Sequence, residues 1–445
     1  MQTLTRPFTE SPLNGVPPRV AARNEAALPL ALKLIAVTTF LPEELSFYIL
    51  GLRLTAIRLI LIVLTPLLLI RLGQRLAAGR YRFVLSDLFV FLAGFWMIYA
   101  PANVVGVGQA LNHAGPTALE FCVGYMATRI LLSEHGHALS FAALLCRIIA
   151  IVALLALLDP LTNRSLMHDL ASQLTGYQKP LVTVDIRFRS ACCYRLGLLR
   201  ATGPIEHAIL FGFACAIGLL IAVSIPIRSR SFAIVACSLG AIFAFSSAPL
   251  QGILLGFALL IYNRIMAGFS LRWPALISLG AAGVMTLFLV SDAPVSLMIR
   301  HLIYDPESGY YRMYVWTMAG TAVAQSPWVG LGFGPYVDPD VGHSVDSLWL
   351  MAAMQFGIPG SVLIALSMIG AASLPTSGRA VNLTPAESTL GTTLGILIFL
   401  TLFLAFTVDL WGTTWILSGL LIGVRAHLGE LGRVGRRRLT ASKSG

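Results

Sequence analysis

Three short polar stretches interrupt an otherwise apolar chain, and each puts side chains fit for phosphate or proton chemistry next to a hydrophobic run. The first is RATGPIEHAILFG, Arg200 to Gly212; the second is SGYYRMYVWTMAGTAVAQSPWVGLGFGP, Ser308 to Pro335; the third is GHSVDSLWLMAAMQFGIPG, Gly342 to Gly360. The planar fork of arginine grips phosphate oxygens two at a time, so Arg200 and Arg312 are the residues to set against an anion. A histidine and an aspartate ahead of a long apolar run, His343 and Asp346, are the ones fit to move a proton.

Each stretch also has a plainer explanation. Arg200 could snorkel to lipid headgroups, and Glu206 with His207 suits the first turn of a following helix, where acidic groups meet the positive end of the dipole. Asp346 is a good N-cap residue type, and His343 fits an interfacial ring. If the helix begins near Gly342, His343, Asp346 and Ser347 share one face at i, i+3 and i+4. Arg312 and Trp316 stand four apart, and Ala319 and Val323 continue their face, so an external helix against the membrane is expected there. The run GLGFG lacks the strand and helix context of a dinucleotide fingerprint; its glycines are expected to allow a tight loop near a ligand or another backbone.

The elements that must position these residues are membrane spans. The chain has 445 residues, 57% of them hydrophobic and 11% charged, with a mean hydropathy of +0.80. Such values lie outside the soluble globular range, and about twelve stretches approach the ~20 apolar residues a span requires. The expected fold is all-α and polytopic, one transmembrane domain over 29–425 with spans near 29–41, 54–72, 84–101, 115–132, 138–158, 205–224, 231–247, 249–263, 273–291, 347–371, 389–407 and 411–425. Residues 1–28 read as a disordered cytoplasmic tail and 426–445 as a basic one.

The net charge of +11 is almost all arginine, since Lys33, Lys179 and Lys443 are the only lysines. Arg71, Arg75, Arg80, Arg82, Arg228, Arg230, Arg264 and Arg272 fall in short loops on one side of a twelve-span layout, which predicts both termini cytoplasmic. Two long segments, about 159–204 and 292–346, then lie outside and carry Arg164, Arg187, Arg189, Arg195, Arg200, Arg300 and Arg312. No basic and aromatic interleaving points to nucleic acid. No spacing among the six cysteines suits a metal, and no HExxH-type cluster is present, so neither metal nor cofactor is expected. The main charges expected in mid-span are Glu120 and Arg147, fewer than a secondary transporter would carry.

Taken together and in this order, the three stretches, with SSAPLQGILLG (Ser246 to Gly256) between the first two, resemble the O-antigen ligase and polymerase family. The stretch Phe40 to Leu72 and the VDSLWL form of the last motif are similar to its exopolysaccharide polymerase branch. The resemblance implies an architecture of the GT-C type and a metal-independent glycosyltransferase in the bacterial inner membrane. It would polymerise undecaprenyl-diphosphate-linked oligosaccharide repeats at the periplasmic face, with the growing polysaccharide, membrane lipid and chain-length or export proteins as partners. The alternatives are a ligase that transfers polymer to a lipid A-core acceptor and, in a different class, a lipid-linked oligosaccharide flippase.

Carried over residue by residue, Arg200 and Arg312 would bind the diphosphate. Arg187, Arg189, Glu206, His207, Tyr311, Trp316 and Ser347 would be further substrate contacts. The family often has a His-Asn pair eleven residues before the glycine matched by Gly357, where this chain has Asp346 and Ser347. The catalytic base is therefore Asp346 or His343. Many members also carry an arginine after the serine of SSAPLQG, and here that role is either absent or falls to Arg187 or Arg189.

Overall fold

A computed structural model of the chain describes residues 27–49, 52–133, 136–177, 193–291, 306–333, 345–376 and 382–441. These residues are mostly helical. In chain order they form α1 (Leu30–Thr38), a hairpin of β1 (Ser46–Ile49) and β2 (Leu52–Thr55), α2 (Ala56–Ala77), α3 (Leu85–Val105), α4 (Val107–Leu131), α5 (His137–Ala156), α6 (Leu158–Thr162) and α7 (Leu166–Thr175). A short hairpin follows, β3 (Tyr194–Arg195) and β4 (Leu198–Leu199), then α8 (Ala208–Ser224), α9 (Arg230–Phe243), α10 (Ser247–Ile265), α11 (Arg272–Val290), α12 (Pro306–Gln325), α13 (Leu348–Ala372), α14 (Pro385–Leu404) and α15 (Gly412–Ala441). Both hairpins are antiparallel.

Every expected span coincides with a helix. Among the described residues seven helices are long and apolar enough to cross a membrane: Ala56–Ala77, Leu85–Val105, His137–Thr162, Ser247–Ile265, Arg272–Val290, Leu348–Ala372 and Pro385–Leu404. The first expected span is a correction. Its helix α1 has 9 residues, a rise of about 14 Å, which is half a hydrocarbon core.

Helix α8 is the centre of the bundle. It is apolar on all sides, and every residue except Ile209, Val223 and Ser224 is buried, the pattern of a helix ringed by others. Helices α5, α9, α10 and α14 pack on it, while α3, α4, α13 and α15 form a second packed group. No residue of α11 is buried.

Helix α13 is broken. Gly357 has φ +74° and ψ 171°, and Pro359 follows. The segment 326–331 docks into the break: the amide of Ile358 donates to the Pro327 carbonyl at 2.8 Å and the amide of Leu331 to the Met354 carbonyl at 2.6 Å. Trp96 Nε1–H donates to the Phe356 carbonyl at 2.8 Å. Backbone groups released by the break are thus re-paired inside the protein, the condition for irregular backbone at that depth. A Cβ at Gly357 would collide with the Trp328 carbonyl, so the close approach requires glycine. Gly330 and Gly332 also have positive φ, and Gly330 lies against the Met354 carbonyl. The glycines of GLGFG therefore serve a backbone approach.

The two ends of the bundle are chemically different. At one end, loops 39–43, 200–207, 345–348 and 405–413 meet. At the other, the Arg82 amide donates to Glu430 Oε1 at 2.8 Å, the Gly136 amide to Glu387 Oε1 at 3.0 Å, and Arg425 Nη2 to the Ala372 carbonyl at 3.0 Å. Arg129, 0% exposed, is clasped there: its Nε meets Asp87 Oδ1 at 3.1 Å, Nη1 meets Glu430 and Nη2 donates to the Arg82 carbonyl at 2.8 Å.

Candidate functional site

The hub of the first end is the loop AFTVDLW, 405–411, between α14 and α15. Three other segments dock on it or at its edge. Ser347 Oγ donates to the Ala405 carbonyl at 3.1 Å, and the Leu348 amide to the Val408 carbonyl at 3.1 Å. Trp316 Nε1–H donates to the Phe406 carbonyl at 3.1 Å, with the two rings stacked at 5.8 Å. His207 lies tilted against Trp411, ring centroids 5.9 Å apart. Glu206 Oε1 accepts from the Thr413 amide at 2.9 Å and its hydroxyl at 3.1 Å.

The start of α13 differs from the expectation, and the face argument for His343, Asp346 and Ser347 goes with it. The helix begins at Leu348 with Ser347 as N-cap, its Oγ accepting from the Leu350 amide at 3.5 Å. Ser347 is buried and also tied to Ala405, so it takes the capping position and leaves Asp346 ahead of the helix, facing the hub. His343 lies outside the described residues, as do Arg187 and Arg189.

Glu206 and His207 were expected in the first turn of the following helix; both lie before it. His207 is the N-cap of α8, its Nδ1 accepting from the Ile209 amide at 3.2 Å. A ring nitrogen that accepts carries no proton, so the imidazole is neutral in this arrangement. Glu206 serves the N-terminus of α15 instead, where Gly412, φ +52°, has no Cβ to collide with its carboxylate. An anion at a helix start is favoured by the dipole and the unpaired amides there.

Arg200 is 3% exposed, and its Nε–H donates to the Ala244 carbonyl at 2.9 Å. It is therefore anchored at the end of α9, beside Ser246, rather than lying open at the surface. Arg312 and Tyr311 sit on α12, Arg312 partly buried and Tyr311 exposed, one turn before Trp316. The buried side of α12 is Val315 and Ala319, which cluster with Leu350 and Met354 of α13. The helix expected there thus packs along the N-terminal half of α13 and leads into the docked segment 326–331.

Asp409 is the residue that sequence reading missed. It is partly buried at the centre of the hub, outside the spans, and burial pushes its carboxyl up to about 7, with repulsion from Asp346 adding and the Leu410 amide opposing. A carboxyl raised toward neutrality by burial and a neighbouring acid makes Asp409 a candidate acid or base. The available signal was a lone acid in an aromatic-flanked break between two spans, which in sequence looks like an ordinary turn.

Beside the hub lies a polar cavity lined by Glu43, Thr55, Arg58, Glu120, Glu206 and Thr413 among others. Glu120, expected as a mid-span charge, is paired there with Arg58 Nε at 2.7 Å. Thr55 Oγ1 is buried in this wall with no hydrogen-bond partner.

No family model and no curated protein matches this chain.

Proposed function

We propose that the chain is a membrane glycosyltransferase that polymerises undecaprenyl-diphosphate-linked oligosaccharide repeats at the outer face of the bacterial inner membrane. The observation that carries this reading is that the segment bearing Asp346 is bonded to the loop bearing Asp409, on which the helix bearing Arg312 and the segment bearing Glu206 and His207 also converge. Outside the membrane no nucleotide drives sugar transfer, so the donor arrives activated, and a diphosphate is a good leaving group. In this scheme Asp409 or Asp346 takes the proton from an acceptor hydroxyl. The oxygen forms a bond to the donor's anomeric carbon as the bond to the diphosphate breaks. Arg312 stabilises the charge that develops on the departing oxygens, with Arg200 holding the adjacent loop.

The test is incubation of purified protein with synthetic undecaprenyl-diphosphate repeat units, read as a ladder of polymer. Asp409→Asn and Asp346→Asn are each expected to slow elongation by about a hundredfold or more. Normal ladders from both variants would remove the carboxyl pair from the mechanism. A ladder that appears only with a lipid A-core acceptor would assign the chain to the ligase reaction.

The broken α13 favours a second reading, a lipid-linked oligosaccharide flippase, because transporters build sites at interrupted helices. A deletion strain separates the two. Lipid-linked repeats accumulate at the outer face if the chain is a polymerase and at the inner face if it is a flippase.

A further inference from the structure

The segment 200–207 is held from beneath by a buried histidine. His168 on α7 is 5% exposed and Glu44, in the loop between α1 and β1, is 1% exposed. His168 Nδ1 lies 2.9 Å from both carboxylate oxygens of Glu44, and Nε2 lies 3.2 Å from the Ile205 carbonyl oxygen. A carbonyl oxygen only accepts, so Nε2 must carry a proton to bond it. The junction with Glu44 needs a second proton, on either the ring or the carboxyl. The chain Glu44–His168–Ile205 is therefore satisfied only when the pair holds two protons, and loss of one sets lone pair against lone pair at a buried junction.

The surrounding charges favour that state. Asp159 of α6 attracts a positive His168, while its Oδ2 accepts from the Thr202 amide at 3.0 Å, the Thr202 hydroxyl at 3.1 Å and the Gly203 amide at 2.8 Å. Glu206 follows Ile205 directly, and Asp169 follows His168. On the Glu44 side, the neighbouring Glu43 is paired with Arg53 at 3.6 Å.

The two residues that His168 joins flank the two walls of the polar cavity. Glu43, next to Glu44, lines one side, and Glu206, next to Ile205, lines the other. We propose that His168 is a proton-operated staple: doubly protonated with Glu44 it ties the Ile205 end of segment 200–207 to the Glu44 side of the cavity, and loss of one proton frees that end while Thr202, Gly203 and Glu206 stay held by Asp159 and Thr413. The staple is closed at low pH and lost as pH rises. This inference does not depend on the reaction the protein carries out.

Hydrogen exchange on the full-length protein in detergent tests it, with rates corrected for intrinsic base catalysis. In the wild type, amides around Ile205 are expected to lose protection roughly tenfold more than those of α8 as pH rises through and above the ordinary histidine range, toward which the surrounding acids shift the loss of the proton. Glu44→Gln is the discriminating variant. Its carboxamide is isosteric and pairs with Nδ1 in either state of the ring, donating an N–H to the neutral ring and accepting through Oε1 from the protonated one, while Nε2–H still reaches Ile205, so the Ile205 end of segment 200–207 is expected to stay protected throughout. A wild type with no excess loss of protection, or a Glu44→Gln protein with the wild-type pH dependence, would overturn the proposal.

Discussion

The Leu348 amide donates to the Val408 carbonyl at 3.1 Å and, with Ser347 Oγ on the Ala405 carbonyl at 3.1 Å, holds the segment that carries Asp346 against the loop that carries Asp409. Two acids from segments more than sixty positions apart in sequence are thereby kept in one another's field.

Stability should record this. Burial and Asp346 lift Asp409 from its ordinary 3.8 to about 7. Between those values the folded protein holds the extra proton, so the contribution is complete below about 4 and is lost as pH rises through about 7. Melting temperature in detergent is expected to fall more steeply across this window for the wild type than for Asp409→Asn. Equal slopes would show that Asp409 titrates normally.

The buried arginine at the opposite end is expected to dominate stability there. Arg129→Met would leave Asp87 and Glu430 without their shared partner, a loss of about 3–5 kcal/mol. Reversible unfolding of the purified protein measures it, and a loss under about 1 kcal/mol would mean that the cluster relaxes to other partners.

Gly357 is the least replaceable glycine of the broken helix. Gly357→Ala adds an unfavourable φ, about 1–3 kcal/mol, to a collision with the Trp328 carbonyl. The expected result is a lowered melting temperature with faster exchange at the Leu331 and Ile358 amides. Gly108→Ala, with open space around it, serves as the control and should melt near the wild type.

Removing the cap of α13 tests how firmly Asp346 is held. Ser347→Ala deletes the bonds to Ala405 and Leu350, costing about 1 kcal/mol. In a polymerase assay the elongation rate should fall more than folded yield, because the segment ahead of the helix loses its anchor. Unchanged elongation would show that the Leu348–Val408 bridge suffices.

The helices were legible because apolar runs near span length leave few alternatives: all twelve expected stretches became helical. Depth and continuity were less legible. Leu30–Thr38 reads as a span because its neighbours are apolar too, and the break at Gly357 is hidden because the residues on both sides of it remain hydrophobic. At the site, Glu206, His207, Trp316, Asp346 and Ser347 were found from motif order and do meet at one loop. Asp409, His168 and Glu44 were not found, since a single acid or histidine between spans has no periodicity or spacing to distinguish it. Their significance lies in burial and in long-range partners, which a linear pattern does not encode.

The interruption at Gly357 divides α13 into two rods. The rod before the break is coupled to α12 through Val315, Ala319, Leu350 and Met354. Both are bonded in turn to the connection between α14 and α15, through Ser347, Leu348 and Trp316. Arg312, Asp346 and Asp409 therefore share one scaffold on the same side of the break, and a change in the angle at Gly357 would carry all three together.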